Sequence, residues 1–109
     1  MPAIADATAA TFAAEALAAP APVVLVDFWA PWCAPCRALT PDLELLATER
    51  DDVKLVKVNT DEEQAIAARY GVTGLPTVLI LRDGEPVGTI TQAAPKRRLA
   101  AQIEAALAA

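Results

Sequence analysis

An α/β domain with a central mixed β-sheet flanked by helices is the fold class this sequence predicts. Three observations lead there. Short continuous apolar runs alternate with amphipathic stretches through the first two thirds of the chain. An Asp83-Gly84 turn then joins two strand-like runs, which adds an antiparallel end to the sheet. The chain has 109 residues, enough for one real core, and shows no repeat or linker that would divide it. Residues 1–109 are therefore read as a single domain.

The elements follow in order. Thr11 to Ala19 reads as a short helix with Phe12, Ala16 and Leu17 as its apolar contacts, ended by Pro20 and Pro22. Val23 to Trp29 is continuous rather than alternating, as in a central strand covered on both faces; Asp27 is the anomaly in it. Arg37 to Arg50 places Leu39, Leu43 and Leu46 on one helical face, with Pro41 inside, where it should kink the helix, and a start within Cys33–Cys36. Val53 to Val58 is a second buried strand. A Thr60…Glu63 capping box should open a helix running to about Tyr70, where Gly71 punctuates it. Val72 to Pro76 is a loop and Thr77 to Leu81 a third strand. The hairpin returns through Val87 to Thr91. Pro95 opens the last helix, whose buried stripe is Leu99, Ile103 and Leu107.

Composition excludes several classes of function. Net charge is −5 with no histidine and no basic cluster, which argues against nucleic acid or an anionic membrane surface as partner. The most apolar run, Val23 to Ala30, is too short to span a bilayer and contains Asp27. The Ala-rich start lacks Lys and Arg and carries Asp6 and Glu15, so it is read as fold rather than as a secretory signal. A cytoplasmic protein is the expectation, and nothing asks for more than a monomer.

Both cysteines sit in one stretch, Trp29-Ala30-Pro31-Trp32-Cys33-Ala34-Pro35-Cys36. Zinc would need four Cys or His ligands, hence a second subunit or carboxylates, so no metal is expected. A structural disulfide closing so short a loop would add little stability. A redox dithiol remains. Residues three apart on a helix share a face. Unpaired N–H groups and the dipole at a helix start favour a thiolate at Cys33, while Cys36, one turn in, is more enclosed. Cys33 is thus poised to attack and Cys36 to resolve. A buried Asp27 should have a raised pKa, which suits a proton acceptor.

The chain resembles the thioredoxin family. The resemblance rests on VDFWAPWCAPC, on Pro41, on KVNTD from Lys57 to Asp61, on YGVTGLPT from Tyr70 to Thr77 and on the hairpin Asp83-Gly84, and it covers nearly the whole chain. It implies the thioredoxin fold and protein disulfide reductase activity with no bound cofactor. It implies a cis peptide before Pro76 beside the cysteines, Asp27 as the acceptor of the Cys36 proton, and Lys57 tuning that carboxylate. Partners implied are protein disulfide substrates and an NADPH- and flavin-dependent thioredoxin reductase. Trp32, Leu75, Pro76, Gln92 and Ala93 fall at the expected substrate surface, and Ala34 and Pro35 at positions that tune the redox potential. Trp29 reads as packing and Arg37 as a solvated helix residue.

Two departures bear on partner range. Ala34 replaces the family's usual glycine, and Gln92 replaces the glycine that usually follows an apolar residue at this point. Pro35 favours a reductant, since relatives specialised for oxidation commonly have histidine before the second cysteine. An exported thiol reductase would need a signal this chain lacks. The rival of another class is a thioredoxin-like binding subunit whose surface, rather than its thiols, carries function.

Overall fold

The computed structural model describes residues 3–19 and 21–108. Five strands form one sheet in the order β1-β3-β2-β4-β5: β1 Ile4–Asp6, β2 Val23–Trp29, β3 Val53–Asn59, β4 Thr77–Arg82 and β5 Glu85–Ile90. β1, β3 and β2 run parallel; β4 and β5 are antiparallel to their neighbours. Among the described residues, the α-helices are α1 Ala34–Glu49, α2 Gln64–Arg69 and α3 Lys96–Ala108.

β2 and β3 lie inside the sheet, and their continuous apolar runs follow from covering on both faces. Alternation splits them cleanly. Val23, Leu25, Val53 and Leu55 face α1 and α3, meeting Leu39, Leu43, Leu46, Leu99 and Ile103. Val24, Val26, Phe28, Val56 and Val58 face the other way, toward Phe12, Ala16 and Ile66. Asp27 belongs by parity to the α1/α3 side, so the sequence anomaly points into a core.

Three local expectations are corrected, and one strand, β1, was not expected. β1 carried no strand pattern, being three residues long; pairing makes it, with Leu55 N–H donating to Ala3 O at 2.8 Å and Ala7 N–H to Lys57 O at 2.9 Å. The helix expected over Thr11 to Ala19 is a single π-helical segment, Ala13–Leu17, closed by Ala18 N–H to Ala13 O at 2.8 Å. Tertiary contacts override the α preference there. Phe12 packs on Tyr70 with ring centroids 5.8 Å apart, and Glu15 Oε2 lies 3.1 Å from the Nζ of Lys54, itself only 2% exposed. Pro20, expected to end this segment, lies outside the described residues. The Thr60…Glu63 capping box does not form. Thr60 donates instead to Trp29 O, Glu63 accepts from Ala9 N–H, and Glu63 itself is the N-cap, without a side-chain cap bond. Arg37 is not simply solvated, since its Nη1 donates to Pro31 O at 2.6 Å.

The helix ends and turns follow their sequence signals. After α2, Gly71 takes φ 68°, and Gly71 and Val72 N–H return to Ala68 and Ala67 O, a Schellman closure. Asp83 and Gly84 have φ 52° and 80°, so both central residues of the hairpin turn are left-handed, as a type I′ turn requires. α1 is continuous from Ala34 to Glu49 with Pro41 inside it. Pro95 precedes α3 and its carbonyl accepts from Leu99 N–H.

β5 carries a bulge opposite Ile80/Leu81, and beyond it Gly88 lets α3 approach closely. A Cβ at Gly88 would lie 2.7 Å from Ala106 Cβ and 3.3 Å from Ile80 Cδ1, whereas one at Gly74 meets nothing within 4 Å. Gly88→Ala should therefore cost about 1–3 kcal/mol through overpacking, while Gly74→Ala should stay within about 0.5 kcal/mol. Urea denaturation of both variants checks this. Equal midpoints would show that α3 yields at no cost.

Candidate active site

The site is assembled where β2 ends and α1 begins. Cys33 is the N-cap of α1 with Pro35 in the first turn, and Cys33 and Cys36 are joined as a disulfide with Cα atoms 5.3 Å apart. The spacing that puts both sulfurs on one helical face is thus realised, with Cys33 at the cap rather than within the first turn. Cys36 N–H donates to Cys33 Sγ at 3.2 Å. When the pair is reduced, that donor and the helix N-terminus would both stabilise a Cys33 thiolate. Cys33 is 4% exposed and Cys36 1%, so the order of accessibility runs as the sequence suggests but by a small margin.

The surroundings are apolar. Ala30, Cys33 and Cys36 pack together with Trp29 and Leu75 against them. Pro76 is buried, and the Leu75–Pro76 peptide is cis. Ala34 and Pro35 are exposed next to the disulfide, as is Trp32 at 68%. The Trp32 indole N–H donates to both Asp61 carboxylate oxygens at 3.2 and 3.3 Å, which fixes an otherwise free ring. Two grooves flank Leu75. One of about 220 Å³ lies between Trp32, Ala67, Val72 and Leu75; the other, about 270 Å³, is lined by Pro76 and by Thr73, Thr77 and Thr91. Gln92 and Ala93 are exposed just beyond Thr91 but line neither groove.

Asp27 is the electrostatic centre of the region. It is 0% exposed, and neither carboxylate oxygen has a hydrogen-bond partner among the described residues. Burial pushes its pKa up to about 7; the Lys57 ammonium pulls against that, and the Glu44 carboxylate adds to it. Lys57 is its register partner on β3, so sheet pairing brings the two together. The Lys57 Nζ lies 3.6 Å from Glu44 Oε2 and 5.6 Å from the centre of the Trp29 ring. The Trp29 indole N–H is buried without a partner among the described residues.

Sequence reasoning missed Glu44 and the Trp32–Asp61 contact. Glu44 stands between Leu43 and Leu45 on an amphipathic helix and reads as a solvated charge. Asp61 reads only as the end of the KVNTD motif, with no partner indicated for its carboxylate. Only the placement of α1 over β3 reveals the first, and the loop after β3 the second.

A family model described as Thioredoxin matches residues 3–105. The chain is 50% identical over 94 residues to thioredoxin 1 of Synechococcus elongatus, covering 85% of this chain and 87% of that protein. It is 48% identical over 98 residues to the thioredoxin of Bacillus subtilis, covering 89% and 91%. A solved structure of a mutant thioredoxin from Halobacterium salinarum NRC-1 superposes with TM-score 0.81 at 36% identity, covering 94% of this chain and 88% of that one.

Asp27 gives a stability prediction whose sign is fixed by its raised pKa. The unfolded carboxyl loses its proton first, so the penalty of burying Asp27 grows as pH rises from the unfolded value and levels off above about 7. Asp27→Ala should therefore stabilise the oxidised protein by a few kcal/mol at about pH 8 and by much less at about pH 4. Urea denaturation at both pH values checks it. A variant less stable than wild type at the higher pH would show that Asp27 makes stabilising contacts that outweigh its desolvation.

Proposed function

The chain belongs to the thioredoxin family and performs thioredoxin-type dithiol–disulfide exchange, and we propose how its residues divide that reaction. The observation that carries the proposal is the Cys33–Cys36 disulfide at the N-terminus of α1, on the same side of the sheet as the buried, unbonded carboxylate of Asp27.

In the reduced protein the Cys33 thiolate attacks one sulfur of a substrate disulfide. The Cys33–substrate bond forms as the substrate's own S–S bond breaks, and the departing substrate sulfur takes up a proton. Asp27 accepts the proton of Cys36. The Cys36 thiolate then attacks Cys33, forming the intramolecular disulfide and releasing the second substrate thiol. Two electrons and two protons pass to the substrate. Asp27 suits the acceptor role because burial holds its pKa at about 7, so it can take and release a proton near neutrality. Lys57 sets how far that pKa rises, and Ala34 and Pro35 adjust the potential from the exposed side of the pair.

Substrate chain lies along Leu75 and Pro76 in extended form, where backbone groups ahead of β4 offer strand-like pairing. Trp32, held by Asp61, forms one rim of that surface, and Gln92 and Ala93 form the other. The polar bulk of Gln92 narrows the set of partners. Electrons return from a thioredoxin reductase that uses NADPH and flavin, and no cofactor resides in the domain itself. We place this single domain, residues 1–109, in the cytoplasm as a monomer, where members of its family typically work. Among the described residues, no helix is long and apolar enough to cross a membrane.

Two measurements test these roles. Brief iodoacetamide treatment of the reduced protein at neutral pH, mapped by mass spectrometry, should label Cys33 well ahead of Cys36. Cys36→Ser should accumulate a mixed disulfide at Cys33 with a model substrate such as insulin, while Cys33→Ser should abolish turnover. Preferential labelling of Cys36, or turnover by Cys33→Ser, would overturn the assignment.

A further inference from the structure

Lys57 and Asp27 are opposite charges on directly paired strand residues, yet they do not meet. The Asp27 oxygens have no hydrogen-bond partner among the described residues, while the Lys57 Nζ stands 3.6 Å from Glu44 Oε2 and over the Trp29 ring. A buried carboxylate with an ammonium in reach should draw it in, since a bonded pair relieves part of the desolvation cost. Something holds the ammonium back.

We propose that Glu44 is a positioning residue for Asp27: its carboxylate on α1, helped by the π-face of Trp29, draws the Lys57 ammonium outward and leaves Asp27 unbonded. The geometry supports this directly. The Lys57 side chain is 21% exposed and that of Glu44 40%, so the ion pair sits at the margin of the core, while Asp27 lies wholly inside it. A charge at that margin is better hydrated than one beside Asp27, and the aromatic face adds its own attraction.

Among the described residues, the other elements packed on this side of the sheet offer no competing charge to Asp27. From β4, the residue paired with Asp27 is Val78. α3 turns Leu99 and Ile103 to this side of the sheet, and its Lys96 and Glu104 are engaged by Glu49 and Arg50. From α1, Glu44 is the charge that acts on Asp27, while Cys36 is held in the disulfide of the oxidised protein. Glu44 thus acts twice in one direction. It repels the ionised form of Asp27 and it withholds the cation that would stabilise that form. Its consequence for catalysis rests on the reading of Asp27 as proton acceptor: a carboxyl bonded to Lys57 would stay ionised and take a proton poorly.

The test reads Asp27 itself. The carboxyl carbon of Asp27 is followed by NMR across pH in the oxidised protein, where neither cysteine titrates, so the result does not depend on the catalytic reading. Glu44→Gln should move the Asp27 midpoint to lower pH by a few tenths of a unit, the scale on which half-exposed ion pairs act. Lys57→Met should move it upward. In the Lys57→Met background, Glu44→Gln should produce a clearly smaller shift than it does alone. Glu49→Gln, on the same helix but paired with Lys96, should leave the midpoint in place and controls for a general loss of negative charge. The proposal is overturned if Glu44→Gln leaves the midpoint unchanged or raises it, if Glu49→Gln shifts it as much, or if the Glu44→Gln shift is undiminished without Lys57.

Discussion

Asp27 is fully buried inside the sheet–helix core, with no hydrogen bond to either oxygen among the described residues and with the Lys57 ammonium turned toward another carboxylate. In the proposed mechanism, proton transfer from Cys36 depends on that arrangement being maintained against its own cost. The parallel β2–β3 pairing fixes Lys57 opposite Asp27. The leucine stripe of α1 lays the helix over both residues, and the same helix carries Cys36 at one end and Glu44 two turns further on. A displacement of α1 would change the acidity of Asp27 and the place of the thiols together. The rest of the core must therefore supply enough apolar burial to hold one unfavourable group in place.

The cysteine pair depends on the N-terminal end of the same helix. β2 stops at Trp29, the chain turns through Pro31 and Trp32, and α1 starts with Cys33 as its cap. Arg37 reaches back to the Pro31 carbonyl and Trp32 is tied to Asp61, so the loop before the disulfide is braced from two sides. Leu75 closes over the sulfurs from the loop that precedes β4. An otherwise polar loop region thus presents an apolar surface around one reactive bond, bordered by two shallow grooves.

Most of this was legible in the sequence because its signals are local and strong. Continuous apolar runs marked β2, β3 and β4, the leucine spacing marked α1, and Asp83-Gly84 marked the hairpin. The cysteine spacing, the lone acidic residue in β2 and Pro76 marked the site. What escaped depends on partners distant in sequence. β1 exists through pairing with β3, too short to show a pattern of its own. The π-helical segment is shaped by Phe12 on Tyr70 and by Glu15 on the buried Lys54, partners far apart in sequence. Thr60 and Glu63 had the spacing of a capping box, but Trp29 O and Ala9 N–H offered them better use. Glu44 carried no signal at all, since its meaning lies in the crossing of α1 over β3.

The central claim is that Asp27 is the group that accepts the Cys36 proton. The most direct test is the rate at which a preformed Cys33–substrate mixed disulfide resolves, followed by stopped flow across pH in wild type and in Asp27→Ala. If Asp27 accepts the proton, the wild-type rate rises through about pH 7, to which burial raises its pKa, and then flattens. The variant should be slower at neutral pH and should lose that inflection, its rate climbing only as Cys36 ionises unaided at higher pH. Superimposable profiles for the two proteins would contradict the account and leave Asp27 as a buried acid with no part in the exchange.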